Sequence, residues 1–283
     1  MLSYRHSYHA GNHADVFKHI VILLLLEKLK EKDKPFVYID THSGAGLYDL
    51  TSEEAMKRAE FKAGIGKLLQ SKDQFPELGD YFDLISLLNP GRRLTCYPGS
   101  PRLAAHLLRA QDRLILMELH PAEIENLHKN MRSDPRIGIH HRDGFEGLIG
   151  TLPPEPARGL VLIDPAYEVK EDYQHVVSCL REAHRHWPTG IYAIWYPILP
   201  PQRDKGSSML QRLGQCHFKN LLIAELSVRE QEQDFGMHGS GVAIVNAPWQ
   251  LDQQLNRLLP KLCNALAQGP GAGWRVEWRI NPV

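Results

Sequence analysis

Four short apolar runs in this chain each lead into an acidic residue: "FVYID" (36–40), "LILME" (114–118), "IGIHHRD" (137–143) and "LVLID" (160–164). Runs of this length with little helical period read as strands buried on both faces. Helical patterns separate or follow them, as in "SPRLAAHLLRA" (100–110), "AEIENLHKNM" (122–131) and the stretch 171–186. Alternation of this kind requires a mostly parallel sheet covered by helices on both sides. A fifth strand is expected at "GIYAIWYPI" (190–198). The segments 218–228 and 239–248 are two further strands joined by a polar connection without a helix, so they should pair antiparallel. The expected sheet has seven strands, parallel for most of its width and ending in an antiparallel hairpin. A last helix is expected at 250–267, kinked or split by Pro260.

Near the start, Asp15 to Lys30 reads as a helix. Its apolar run, Ile20 to Leu26, is too short to cross a bilayer, so a core helix is expected and no membrane association. The region 50–93 is out of place. In a nucleotide-binding unit the acid of the second strand follows the glycine loop by about 20 residues, whereas here Glu118 lies much further on. Helical patterning in between, "SEEAMKRAEFKAGIGKLLQ" (52–70), divides the chain into a main domain, 1–49 with 94–283, and a small helical insertion, 50–93.

Composition narrows the partners. With 33 basic and 33 acidic residues the net charge is zero, so a polyanion must be met by a local patch. The four cysteines are scattered, which excludes a disulfide framework or zinc ribbon and points to reduced thiols. The start, "MLSYRHSYHAG", lacks a signal pattern, and a cytoplasmic protein is expected. His9 and His13, or His184 and His186, lack a third ligand nearby, so no metal is expected.

Ligands of open α/β sheets bind beyond the carboxyl ends of the strands, where the acids lie. "DTHSGAG" (40–46) lets backbone approach a ligand but lacks the third glycine of a dinucleotide site, which counts against NAD. Glu118 can accept from ribose hydroxyls; Asp143 can accept from an adenine amino group while the next N–H donates to the ring. Ser100, before Pro101, suits a helix N-cap whose free N–H groups can receive a carboxylate. Singly, each has a plain reading as a turn, a solvated charge or a cap. Their order along successive strand ends favours a nucleoside ligand.

The fourth end reads "DPAY" (164–167). A bare D-P-x-Y is also a β-turn, but here it follows three ordered acids. N6 of adenine is a poor nucleophile until the amino group pyramidalises. The carboxylate of Asp164 and the carbonyl of Pro165 can hold its two hydrogens and stabilise the charge that develops. Tyr167 can stack the base, which must leave its helix or be unpaired.

At this point the chain resembles a known family. "YHAGNHADVFKH" (8–19), "DTHSGAG" (40–46), "YPGSP" (97–101), "MELHP" (117–121), "RDG" (142–144) and "DPAYE" (164–168) look like the bacterial 23S ribosomal RNA adenine-N6 methyltransferases that modify adenine 2030. The match covers essentially the whole chain. The resemblance implies a Rossmann-like class I methyltransferase of α/β fold using S-adenosyl-L-methionine and acting on 23S ribosomal RNA; a monomer is expected. His19 and His42 would line the cofactor pocket, with Ser100 at the amino-acid end, Glu118 at the ribose, Asp143 and Gly144 at the adenine, and Asp164 beside the methyl group. Tyr4 would lie near the RNA, and Lys18 would join Arg5, His6 and His9 in a basic patch. Lys57, Arg58, Lys62, Lys67, Lys72, Arg92 and Arg93 offer a second patch in the insertion. The loop "LPPQRDKGSS" (199–208) would flank the base pocket. The family motif usually reads D-P-P-Y, and Ala166 departs from it; proline there would confine Pro165 to an extended conformation. Rival readings are a DNA adenine-N6 methyltransferase and a non-catalytic RNA-binding module on the same fold. A protein-glutamine methyltransferase is associated with Asn at the position of Asp164.

Overall fold

In the computed structural model, which describes residues 5–91, 93–231 and 236–282, the first long element is helix α1 (His13–Lys30). Asn12 starts it, its side-chain oxygen accepting from the N–H groups of Ala14 and Asp15. The run Ile20–Leu26 makes this helix apolar nearly all round, and such a helix belongs in a core; every residue from His13 to Leu26 is buried. Strand β1 (Val37–Asp40) and the short β2 (Leu47–Asp49) follow, then helices α2 (Glu53–Arg58), α3 (Ile65–Leu68) and α4 (Gly79–Leu88), strand β3 (Cys96–Pro98) and α5 (Ser100–Leu107). Strands and helices then alternate through β4 (Arg113–Glu118), α6 (Pro121–Met131), β5 (Ile137–His141), α7 (Gly144–Thr151), β6 (Gly159–Ile163), α8 (Asp172–His186), β7 (Ile191–Ile198) and α9 (Gly206–Gly214). The last elements are β8 (Leu221–Ser227), β9 (Gly239–Val245), α10 (Leu251–Leu266) and β10 (Gly273–Ile280).

The main sheet runs β10-β8-β9-β7-β6-β1-β4-β5. From β5 to β7 neighbouring strands are parallel, and β9 is antiparallel to both β7 and β8. The architecture is a Rossmann-like α/β fold, as expected. Alternate residues of each strand face opposite ways. Tyr38, Leu116, Leu162 and Ile244 pack with α1, α5, α6 and α10; Ile39, Val161, Ile194 and Ile223 pack with α7, α8 and α9. Both faces are covered, which is why the strands read as nearly unbroken apolar runs. Chain direction splits at β1, with β4 and β5 on one side and β6 and β7 on the other, so a crevice opens at the carboxyl ends there.

Three expectations need correction. The sheet has eight strands, not seven: β10 pairs antiparallel with β8. Its alternation of Trp274, Val276 and Trp278 with Arg275, Glu277 and Arg279 is the period of a half-covered edge strand. Of the kink or split expected at Pro260, the split does not occur, since helix α10 continues through the proline. The buried row Leu255, Leu258, Leu259, Leu262 and Cys263 holds both sides of the proline onto the core and outweighs its lost hydrogen bond. The segment 199–208 is loop only to Lys205, since α9 begins at Gly206.

Between β2 and β3, which pair as a separate two-stranded sheet, helices α3 and α4 and the turns before them bury Phe61, Ile65, Leu68, Leu78, Tyr81 and Leu84 in the same core as α1. No helix among the described residues is long and apolar enough to cross a membrane.

Candidate active site

The carboxyl ends of β1, β4, β5 and β6 meet the first turns of α1 around a cavity of about 590 Å3. The loop after β1 makes its wall. Gly44 and Gly46 take φ of +58° and +74°, values open to glycine at little cost. A Cβ on Gly144 would lie 2.0 Å from the Thr41 carbonyl oxygen, so only glycine lets α7 start this close to the loop.

The strand-end acids are all oriented by hydrogen bonds. Glu118 accepts from the Gly44 N–H at 2.8 Å with one oxygen and from the His120 N–H at 2.7 Å with the other. Asp143 caps α7, one oxygen accepting from the N–H groups of Phe145 and Glu146 at 2.9 Å each; no described group bonds its other oxygen. Asp40 is fully buried and accepts from the hydroxyls of Ser100 at 2.6 Å and Tyr38 at 3.0 Å. Burial pushes the Asp40 carboxyl up to about 6, the charge of Asp164 adding to this against the bonds from Ser100 and Tyr38. Ser100 was expected to cap α5, but the N-cap is Gly99. Ser100 is instead the first helical residue, and its hydroxyl is drawn to the buried carboxylate of Asp40.

Five histidines line the cavity, and two of them, His42 and His19, come from the sequence-predicted set. His42 packs edge-on against Phe145, ring centroids 5.0 Å apart, and burial lowers its pKa. His19 is buried; its Nδ1 lies 2.9 Å from the Tyr97 hydroxyl, and among the described residues its Nε2 has no hydrogen-bond partner. Burial pushes its pKa down to about 3, so the ring is neutral.

Lys18 corrects the expectation of a basic patch facing RNA. Its side chain is only 7% exposed, and its ammonium lies 2.7 Å from Asp164 Oδ2 and 3.0 Å from Asp15 Oδ1. Burial alone would lower the Lys18 pKa; Asp164 and Asp15 outweigh it and raise it. Burial alone would likewise raise Asp15, but His6 and Lys18 hold its carboxyl well below the usual range. His6 Nε2 lies 2.8 Å from Asp15 Oδ2, which also accepts from the Gly11 N–H. Arg5 pairs with Glu54 and His9 with Glu60. Every basic group of the expected patch thus faces a carboxylate, because the N-terminal turns fold onto acids of α1 and of the segment after β2.

In the segment 164–167, Asp164 accepts from Lys18 through one oxygen, and no described group bonds the other. Pro165, Ala166 and Tyr167 also line the cavity. Tyr167 has φ of +52°, a left-handed conformation costing a non-glycine residue about 1–2 kcal/mol. Its hydroxyl donates to the Trp195 carbonyl at 2.7 Å, and its ring lies 4.4 Å from that of Tyr173; these contacts hold the strained turn. Among the second cluster of basic residues, Lys57, Lys62, Lys72 and Arg93 are exposed, Arg58 is paired with Glu60 and Lys67 donates to the Ala267 carbonyl. Tyr4 and Arg92 lie outside the described residues.

Sequence reasoning missed Asp15, Asp40 as a hydrogen-bond hub, Tyr97 and Trp195. Asp15 left a signal, since an acid three residues before a lysine on a helix reads as an ion pair, and on a wholly apolar helix that pair is buried.

Comparison with known proteins gives this cavity its setting. The family described as "Ribosomal RNA large subunit methyltransferase D, RlmJ" matches residues 33–280. "Ribosomal RNA large subunit methyltransferase J" of Haemophilus influenzae is 45% identical, the match covering 98% of this chain and 99% of that protein. Its namesake in Escherichia coli K12 is 46% identical over 99% of both. A crystal structure of a Legionella pneumophila protein, 36% identical, has a TM-score of 0.87 and covers 95% of this chain and 98% of its own. Matched along nearly its whole length in sequence and in fold, the chain belongs to the ribosomal RNA large subunit methyltransferase J family.

Proposed function

We propose that this ribosomal RNA methyltransferase modifies N6 of an adenine in 23S ribosomal RNA, the adenine 2030 of the family it resembles, by direct transfer with no covalent enzyme intermediate. The observation that carries the reading is Asp164: one carboxylate oxygen is held by Lys18 and the other meets no described hydrogen-bonding group at the cavity. That second oxygen and the Pro165 carbonyl accept the two hydrogens of the amino group, and the Tyr167 ring stacks the flipped base. The Lys18 ammonium fixes one oxygen of Asp164, so the work of this carboxylate is to orient and stabilise. The proton released from N6 leaves through its second oxygen or to water.

The methyl donor is S-adenosylmethionine, which when bound supplies the electrophilic methyl group. The residues present fit it: a glycine wall that admits no side chain at Gly144 and, among the described residues, an unbonded oxygen on Asp143 and an unpartnered nitrogen on His19. In this reading Glu118 holds the ribose, Asp143 and Gly144 the adenine, Ser100 and His19 the amino-acid end, and His42 the wall between. We read 50–93 as a helical insertion in a domain formed by 1–49 and 94–283, and the enzyme as a cytoplasmic monomer.

The test is tritium transfer from labelled cofactor to protein-free ribosomal RNA and to duplex DNA. Native protein should label RNA, and Asp164→Ala should lose about a hundredfold or more in turnover while staying folded, as when a group that stabilises developing charge is removed. Near-normal turnover would refute the role of Asp164. Transfer to DNA alone, or none, would leave one of the rival readings standing.

A further inference from the structure

We propose that Tyr97, backed by Tyr81, sets the tautomer of His19, so that Nε2 carries the proton and donates to the carboxylate of the bound cofactor. The proposal rests on the cofactor reading above and deepens it.

Three buried protons decide the tautomer. A neutral imidazole has one N–H and one acceptor nitrogen, and the partner of one nitrogen decides the state of the other. His19 Nδ1 lies 2.9 Å from the Tyr97 hydroxyl, which lies 2.9 Å from the Tyr81 hydroxyl. Both tyrosines are fully buried, and burial raises their pKa, so both hydroxyls are protonated. Among the described residues the Tyr81 hydroxyl has Tyr97 as its only hydrogen-bond partner. A buried donor without an acceptor costs about 1–3 kcal/mol. Tyr81 therefore donates to Tyr97, Tyr97 donates to Nδ1, and Nδ1 is the acceptor. The opposite direction would strand the Tyr81 proton.

What remains is a buried N–H at Nε2 with no partner among the described residues, on a residue lining the cavity. A donor asks for an oxygen acceptor. Tyr97 lies three positions before Ser100, on the side of the cavity assigned to the amino-acid end, and the acceptor there is the methionyl carboxylate. Tyr97 and Tyr81 are positioning residues in this scheme. Tyr81 belongs to α4, so the helical segment after β2 reaches the cofactor site through three hydrogen-bonded side chains.

Histidine-selective 15N NMR of the native protein should show His19 protonated at Nε2 and bare at Nδ1; the reverse tautomer overturns the proposal without any variant. Calorimetry with S-adenosylhomocysteine and with 5′-methylthioadenosine, which lacks the amino-acid end, separates the causes. Tyr97→Phe should weaken S-adenosylhomocysteine about tenfold, the scale of one hydrogen bond to a charged group, and leave 5′-methylthioadenosine unchanged. Equal losses for both ligands would mean a general packing role and overturn it. Failure of the native protein to bind either ligand would instead bring down the cofactor reading, and the proposal with it.

Discussion

Lys18 and Asp164 stand 146 positions apart in sequence and 2.7 Å apart in space. The pairing brings the first helix to the end of β6 and leaves Asp164 one working oxygen. Asp15 holds the other side of the lysine, so its removal leaves a buried ammonium with one partner in place of two. Asp15→Asn should cost about 3 kcal/mol or more in urea unfolding, the scale for breaking a buried ion pair, and lower turnover as well. Unchanged stability would show that Lys18 is held by Asp164 alone. In the same loop, Ala166 follows Pro165 and lines the cavity. Ala166→Pro narrows the choices of Pro165 before the amino group arrives, so methyl transfer should hold or rise; a fall would contradict this account of the loop. The acids at the strand ends were legible because each follows its own apolar run. The Lys18 contact was not, because nothing local tells a lysine which distant carboxylate it will meet.

At the scale of elements, local patterns carried most of the sheet. The five parallel strands and the hairpin of β8 and β9 were expected where they stand, since buried strands announce themselves by continuous apolar runs. Strand β10 escaped because an edge strand is half wet: arginines and a glutamate alternate with its apolar residues and break up any run. The two-stranded sheet of β2 and β3 escaped because each strand has three residues and a long helical segment separates them. Helix α10 shows tertiary packing overriding a local breaker. Pro260→Ala restores a backbone donor inside an unbroken helix and should raise stability by up to about 3 kcal/mol, the usual cost of an interior proline; lower stability on thermal unfolding would mean that the proline ring itself packs well.

The molecule as a whole buries ionisable groups whose shifts oppose one another. His13 is pushed by burial down to about 4 and His19 to about 3, from 6.5. Their neutral forms favour the folded state fully above pH 6.5, and this contribution falls away as the pH drops, because the unfolded chain takes up their protons first. Asp40 works in the other sense. Its carboxyl, raised by burial from 3.8 to about 6, favours the folded state below pH 3.8 and loses that contribution as the pH rises through 6. Between pH 6 and 4 the two histidines outweigh Asp40, and His42, also lowered by burial, acts with them, so stability should fall on acidification. Urea midpoints measured from pH 7.5 to 4.5 check this, and a flat profile would sink it.

The apolar run of α1 fills one face of the sheet, and its opening turns supply Asp15, Lys18 and His19 to the cavity. Most enzymes of this size keep ballast and machinery on separate segments, with working groups on loops that tolerate change. Here eighteen residues do both jobs. Loosening the helix to speed the chemistry would unseat the core, and improving the core's fit would shift the lysine against its aspartate, so rate and robustness in this protein are not independently adjustable.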